Sequence, residues 1–113
     1  MALQFLFNRS DGQPGSPGLR GLTVSQEQWR QAAFDLSAAG ARLLALWAGG
    51  AKQATHYISA LFVAPEGGGL VLTLPVVDTD EPYPGIAELF PAAARMQRAI
   101  ADLSGIRSTD PDT

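Results

Sequence analysis

Three apolar runs separated by glycine-rich turns constrain this chain more than any other feature. Ala41 to Ala48 reads as a mostly buried strand, followed by Gly49-Gly50 and a polar Lys52-Gln53 turn. His56 to Ala64 is a second strand, with Ile58, Ala60 and Phe62 on one face and Tyr57, Leu61 and Val63 on the other. Pro65 to Gly69 is a hairpin connection into a third strand, Leu70 to Val76, whose Leu70, Leu72 and Leu74 share a face. Three consecutive strands are joined most economically as an antiparallel meander. A sheet of this kind must bury at least one face under another layer.

Two helices flank the meander and can supply that layer. The first opens on Ser25, with Gln28 three residues on completing a capping box. Trp29, Ala32, Ala33 and Leu36 then recur at i, i+3, i+4 and i+7, and Gly40 is the stop signal. The second follows an extended segment stiffened by Pro82 and Pro84, each of which fixes its own φ and disfavours helix in the residue before it. Pro91 suits a first helical position, Met96, Ile100 and Leu103 form an apolar stripe, and Gly105 is a left-handed terminator. The opposite face holds Arg95, Arg98 and Asp102.

At the other end, Leu3, Phe5 and Phe7 alternate as a short strand candidate. Residues 8–21 carry Asp11-Gly12, Pro14-Gly15 and Pro17-Gly18 turn dipeptides and read as a flexible loop, after which Leu19 to Val24 can pair back onto the first strand. The expectation is one α+β domain over residues 1–113: a two-layer sandwich of a mixed or antiparallel sheet of three to five strands with two main helices on one face. The other face then carries Tyr57, Leu61 and Val63 against loops, the N-terminal strand or a partner; the residues do not choose among these.

Composition removes several function classes. The 113 residues suffice for one hydrophobic core, and the formal net charge of −3 gives no general electrostatic case for nucleic acid or an anionic membrane. There are no cysteines, hence no disulfides, thiolate metal sites or iron–sulfur ligation in this chain. That fits a reducing compartment, and a cytoplasmic location is expected. No apolar run approaches the ~18 residues of a membrane span.

The search for chemistry is mostly negative. The single histidine, His56, has no orienting carboxylate or nucleophile that spacing can name, so a strand-end role is the better reading. Asp78, Asp80 and Glu81 form a short acidic run without the glycine and downstream glutamate of a calcium loop. Trp29 and Trp47 read as core or sheet-packing residues. The glycine-rich loop lacks the Gly-Lys-Ser/Thr ending of a phosphate cradle. No catalytic, cofactor-binding or metal-binding residues are expected. A small enzyme would require a pocket uniting His56 with Asp78 or Asp80.

The order of residues near the C-terminus carries more information than its periodicity. Tyr-Pro-Gly-Ile, Leu-Phe-Pro-Ala-Ala, an arginine-bearing helix and Asp-Leu-Ser-Gly-Ile-Arg follow one another between Tyr83 and Arg107. This segment resembles the C-subunit family of bacterial NADH–quinone oxidoreductase (NADH dehydrogenase) and the related N-terminal domain of the large subunit of membrane-bound nickel–iron hydrogenases of the formate hydrogenlyase type. Pro84, Ile86, Phe90, Pro91, Ala92, Ala93, Arg98, Asp102, Leu103, Gly105 and Ile106 match the family pattern. The likeness spans roughly residues 22–107, with specific identities from 82 onward. Both glutamates that flank the family's arginine are replaced, by Gln97 and Ala99, and Ser104 stands for an aromatic residue. Leu-Ser-Gly in place of Leu-Phe-Gly leans toward the hydrogenase-type branch. The family's further docking segment is missing, so residues 107–113 are expected to be a tail that continues in a longer native chain.

The resemblance implies a non-catalytic structural or assembly domain, without a cofactor of its own, in a respiratory complex I-like or hydrogenase complex. Its partner is then the large redox subunit, and its place is the cytoplasm, peripheral to the inner face of the membrane. Tyr83, Phe90, Arg95, Arg98 and Asp102 are the candidate partner-interface residues, with Tyr83 and Phe90 also suited to packing the proline segment onto the sheet. The competing reading is a stand-alone α+β binding module that forms a homodimer.

Overall fold

The computed structural model describes residues 11–12, 19–50, 56–77 and 80–110. The expected strand around Leu3 to Phe7, the Lys52-Gln53 turn and Asp78 lie outside them. In chain order the described elements are β1 (Asp11–Gly12), β2 (Leu19–Thr23), α1 (Gln26–Ala38), β3 (Arg42–Gly50), β4 (His56–Val63), β5 (Gly69–Val76) and α2 (Ala93–Ser104). The strands form one mixed sheet in the order β1-β2-β5-β4-β3. The fold is the expected α+β arrangement.

The meander is antiparallel, β3 on β4 and β4 on β5, as the turn signals require. Between β4 and β5 the chain reverses through Gly67 and Gly68, both at positive φ (96° and 88°), a conformation that costs glycine nothing. β2 corrects the sequence reading. It joins β5 in parallel, from Leu19 opposite Gly69 to Thr23 opposite Thr73, and pairs antiparallel with β1 through Gly21 and Arg20. Part of the expected 8–21 loop is therefore sheet. Its turn dipeptides hid a strand of two residues, too short to show any alternation. The β2 pairing stops two residues before Pro75, which has no N–H to extend a ladder.

The register sorts strand residues into two faces. Leu46, Ala60, Leu72 and Leu22 lie in one row, with Ala48, Ile58 and Leu74 beside it and Leu43, Phe62 and Leu70 on its other side. This face packs under both helices: it shares a continuous core with Trp29, Ala32, Ala33 and Leu36 of α1, Ala93 and Ile100 of α2, and Ile86, Phe90 and Ile106 near α2. Phe62 and Phe90 meet with ring centroids 5.1 Å apart and planes inclined at 56°.

The capping box of α1 forms as the sequence predicts: Gln28 N–H donates to Ser25 Oγ at 3.2 Å and Ser25 N–H to Gln28 Oε1 at 2.9 Å. Gly40 follows at φ +84°. In α2, Gly105 terminates the helix at φ +80°, its N–H donating to the Ala101 carbonyl at 2.9 Å. The start and the buried stripe differ from expectation. Pro91 precedes the helix, in a tight turn in which Ala94 N–H donates to its carbonyl at 3.2 Å. The buried face runs Ala93, Gln97, Ile100, while Leu103 is 89% exposed. A polar residue occupies the inward position that an apolar count assigns elsewhere. Of the two tryptophans expected in the core or against the sheet, Trp29 is in the core and Trp47 stands on the sheet face away from the helices, 42% exposed.

Candidate partner interface

The candidate interface stands on a clasp formed by three separate stretches of chain. Residues 82–87 run as an extended strap beside α1. Trp29 donates its indole N–H to the Pro84 carbonyl at 3.1 Å, fixing the strap to that helix. On the other side Tyr83 N–H donates to the Arg107 carbonyl (3.1 Å) and Thr109 N–H to the Tyr83 carbonyl (2.9 Å), a single parallel bridge between strap and tail. Gly85 N–H donates to Thr109 Oγ1 at 2.9 Å.

Gln97 and Asp110 complete it. The Gln97 amide oxygen accepts from Ile86 N–H at 3.0 Å, and its nitrogen donates to Asp110 Oδ2 at 2.9 Å. The same carboxylate oxygen accepts from Ala87 N–H at 2.9 Å. A buried side-chain amide is tolerable only when its donor and acceptor find partners, and Gln97 finds both. A Cβ at Gly85 would collide with the Asp110 carboxylate and push it off its hydrogen bonds to Ala87 and Gln97. Glutamine, and not glutamate, is thus the residue that this geometry accepts. A glutamate would set two carboxylates against each other, where like charge disfavours ionising both.

Tyr83 is fully buried beneath the strap, and its hydroxyl has no hydrogen-bond partner among the described residues. Burial, and secondarily the negative charge of Asp110, raise the phenol well above its ordinary range. It stays protonated throughout the physiological range.

The five expected interface residues divide into two sets. Tyr83 and Phe90 are buried and meet the protein's own core, in the packing role that suits the proline segment. Arg95, Arg98 and Asp102 are exposed on α2. Pro91, Ala92, Ala94, Arg95, Met96 and Arg98 line a groove of about 580 Å³ along the start of that helix. A second groove of about 490 Å³ lies between α1 and the strap, where Arg30 and the 58%-exposed Phe34 face Pro82 and Pro84.

His56 begins β4 opposite Val76, while Asp80 and Glu81 are exposed in the turn beyond β5. Among the described residues no three His, Cys, Asp or Glu side chains are grouped so as to hold a metal ion, and no helix is long and apolar enough to cross a membrane.

Sequence reasoning missed Gln97, Gly85, Asp110 and the Trp29–Pro84 bond. The departure from the family pattern at Gln97 is visible in the sequence, but its partner is 13 residues away in a tail of plain polar composition. Only the fold brings them together.

No protein-family model matches the chain, and no curated protein matches it. Solved structures do. One described as Nqo5 of a trypsin-resistant fragment (1-134) superposes with a TM-score of 0.80 over 100% of both chains, at 16% sequence identity. At that identity the likeness is one of fold.

Proposed function

We propose that this chain is a non-catalytic subunit or domain of a multisubunit oxidoreductase, built to support a redox-active large subunit. The observation that carries the reading is the fold likeness, over the whole of both chains, to the Nqo5 fragment, Nqo5 being a complex I subunit. The residue order between Tyr83 and Arg107 supports it from a second direction, because that likeness lies in the succession of side chains and owes nothing to the fold. Of the two branches, the complex I-like one has the structural neighbour, and the formate hydrogenlyase-type one rests on Leu103-Ser104-Gly105 alone.

On this reading the chain contributes surface, not chemistry. Arg95, Arg98 and Asp102 on α2 are the charged contacts offered to the large subunit, and the groove beside them receives part of it. The clasp holds α2 in place, so the contacts are presented on a rigid element. The complex lies in the cytoplasm, peripheral to the inner face of the membrane.

The test is affinity purification of the tagged protein from its native cell under mild conditions. A redox subunit bearing cysteine-ligated centres is expected to accompany it. Charge reversal by Arg95→Glu with Arg98→Glu is expected to reduce the recovery of that subunit at least tenfold while leaving the thermal midpoint of the isolated chain within a few degrees; buried, desolvated charge contacts commonly cost about 2 kcal/mol or more when broken. Recovery of the protein alone, or of the same partner in undiminished amount with the double variant, would overturn the reading or the assigned surface, respectively.

A further inference from the structure

The outer surface of α2 carries a pattern that its charges alone do not use. Ala92, Met96, Ala99 and Leu103 recur at i, i+4, i+7 and i+11, the spacing of a seam along which two helices pack. Ala92 precedes the helix with helical backbone, at φ −60° and ψ −23°. Met96 is half-buried and the other three are exposed. Leu103 is the extreme case, 89% exposed although it is as apolar as any residue of the core. The clasp is the cause. Gln97 takes the inward position to reach Ile86 N–H and Asp110, and the rotation that buries it turns Leu103 outward. At the other end of the seam Ala92 leaves room, and there Ala92, Arg95 and Met96 line part of the groove of about 580 Å³. Along one side of the seam stand Arg95 and Asp102, of opposite charge and seven residues apart. That is too far to pair within one helix, where side chains three or four residues apart meet.

We propose that this seam is a contact between two copies of the chain, with α2 packed antiparallel on α2 of the second copy about a two-fold axis. Reversal sets Ala92 of each copy opposite Leu103 of the other, and Met96 opposite Ala99, so each layer faces a large side chain with a small one. Leu103 then enters the groove at the start of the facing helix. The same reversal brings Arg95 beside Asp102 of the second copy, and the axis repeats the pair. A parallel arrangement would set like charges and like sizes together. Charge and size are thus both matched within one sequence, which favours a second copy over an unrelated helix. One helix pair is a small contact beside the ~1,200 Å² of standard interfaces, so the association is weak and reversible. The assembly role proposed above gives Arg95 and the same groove to the large subunit; on that reading the two associations exclude one another. The pairing of the isolated chain does not depend on it.

Sedimentation equilibrium of the isolated chain over a series of concentrations measures the pairing, and a reversible monomer–dimer equilibrium is expected. Leu103→Lys is expected to abolish association while the circular dichroism of the chain stays unchanged, because Leu103 is almost fully exposed in its own copy. Arg95→Glu and Asp102→Lys each enter the contact twice, turning two attractions into two repulsions, and each is expected to weaken the dimer about tenfold. The two together exchange the charges and are expected to restore association to within about threefold of the parent. Arg98, four residues from Asp102 in the same helix, is retained in every variant, so the restoration reports on Arg95 and Asp102 across the axis. A chain that is monomeric at every concentration, or a dimer indifferent to Leu103→Lys, would overturn the proposal. So would charge effects that simply add, since the double variant would then be the weakest of the three.

Discussion

The two faces of this sheet are made from the same strands, yet they have different fates. On β5, Leu70, Leu72 and Leu74 are at most 1% exposed, whereas Val71, Thr73 and Pro75 between them remain half-buried. Strand residues alone do not produce that difference, since Val71 is as suited to burial as its neighbours. The covering layer produces it. Trp29, Ala32, Ala33 and Leu36 seat α1 on one face, Phe90, Ala93 and Ile100 seat α2, and the clasp around Gln97 ties the strap between them. Stability is thus concentrated on one side, and the side chains of the other side stay half-buried.

The sharpest way to break this comparison is truncation at adjacent positions of β5. Leu72→Ala removes a fully buried side chain at the centre of the covered face and is expected to cost about 3 kcal/mol through lost burial and residual cavity. Val71→Ala, one residue away and on the open face, is expected to cost about 1 kcal/mol. Denaturant titration with unchanged m-values measures both. Equal costs would mean that the open face is as well packed as the covered one, and the asymmetry would be gone.

Next in size is the clasp. Gln97→Glu places a carboxylate against Asp110 in a buried setting, and about 2 kcal/mol of stability is expected to be lost at neutral pH. Mutual repulsion raises the folded-state pKa of the pair above the unfolded value of about 4. A raised folded pKa gives stability that is fully present below the unfolded value and is lost as pH rises through the folded one. The variant therefore approaches the parent on acidification, when the shared proton restores a hydrogen bond to Asp110. A deficit that stayed constant from pH 4 to pH 8 would show that the glutamine is held for shape and not for its charge.

How far the sequence reveals these features depends on how local their causes are. The Ser25–Gln28 box, the meander, the hairpin glycines and the Gly105 terminator all depend on neighbours within a few residues, and each was legible. A pairing segment at Leu19 to Val24 was legible too, but its parallel partner was not, because β5 lies about 50 residues on and such a pairing leaves no turn signature. The α2 stripe was misread for a related reason. Leu103 looks like core by its chemistry, but the helix rotates to bury Gln97, which alone can satisfy Ile86 N–H and Asp110 together. Of the candidate interface, the exposed Arg95, Arg98 and Asp102 followed from helical spacing, whereas the clasp beneath them depended on contacts between strap and tail that no spacing encodes.

The smallest expected effect is at Tyr83, and it tests whether the covered side is uniformly optimised. The ring fills the space beneath the strap, but the hydroxyl finds no partner among the described residues and feels the negative charge of Asp110. Leaving such a group buried costs about 1 kcal/mol or more, so Tyr83→Phe, which keeps the ring, is expected to be neutral or stabilising by up to about 1 kcal/mol at pH 7. The phenol's folded-state pKa is raised, chiefly by burial. By the same linkage its stability contribution is complete below the unfolded value of about 10 and declines as pH rises above it, because only the unfolded chain then releases the proton readily. The parent is therefore expected to lose stability above about pH 10 more steeply than the phenylalanine variant. Thermal unfolding of both between pH 7 and pH 11 measures the divergence. A variant less stable than the parent at every pH would mean that the hydroxyl is satisfied in solution, and that the strap is tied to the core by one more bond than its geometry displays.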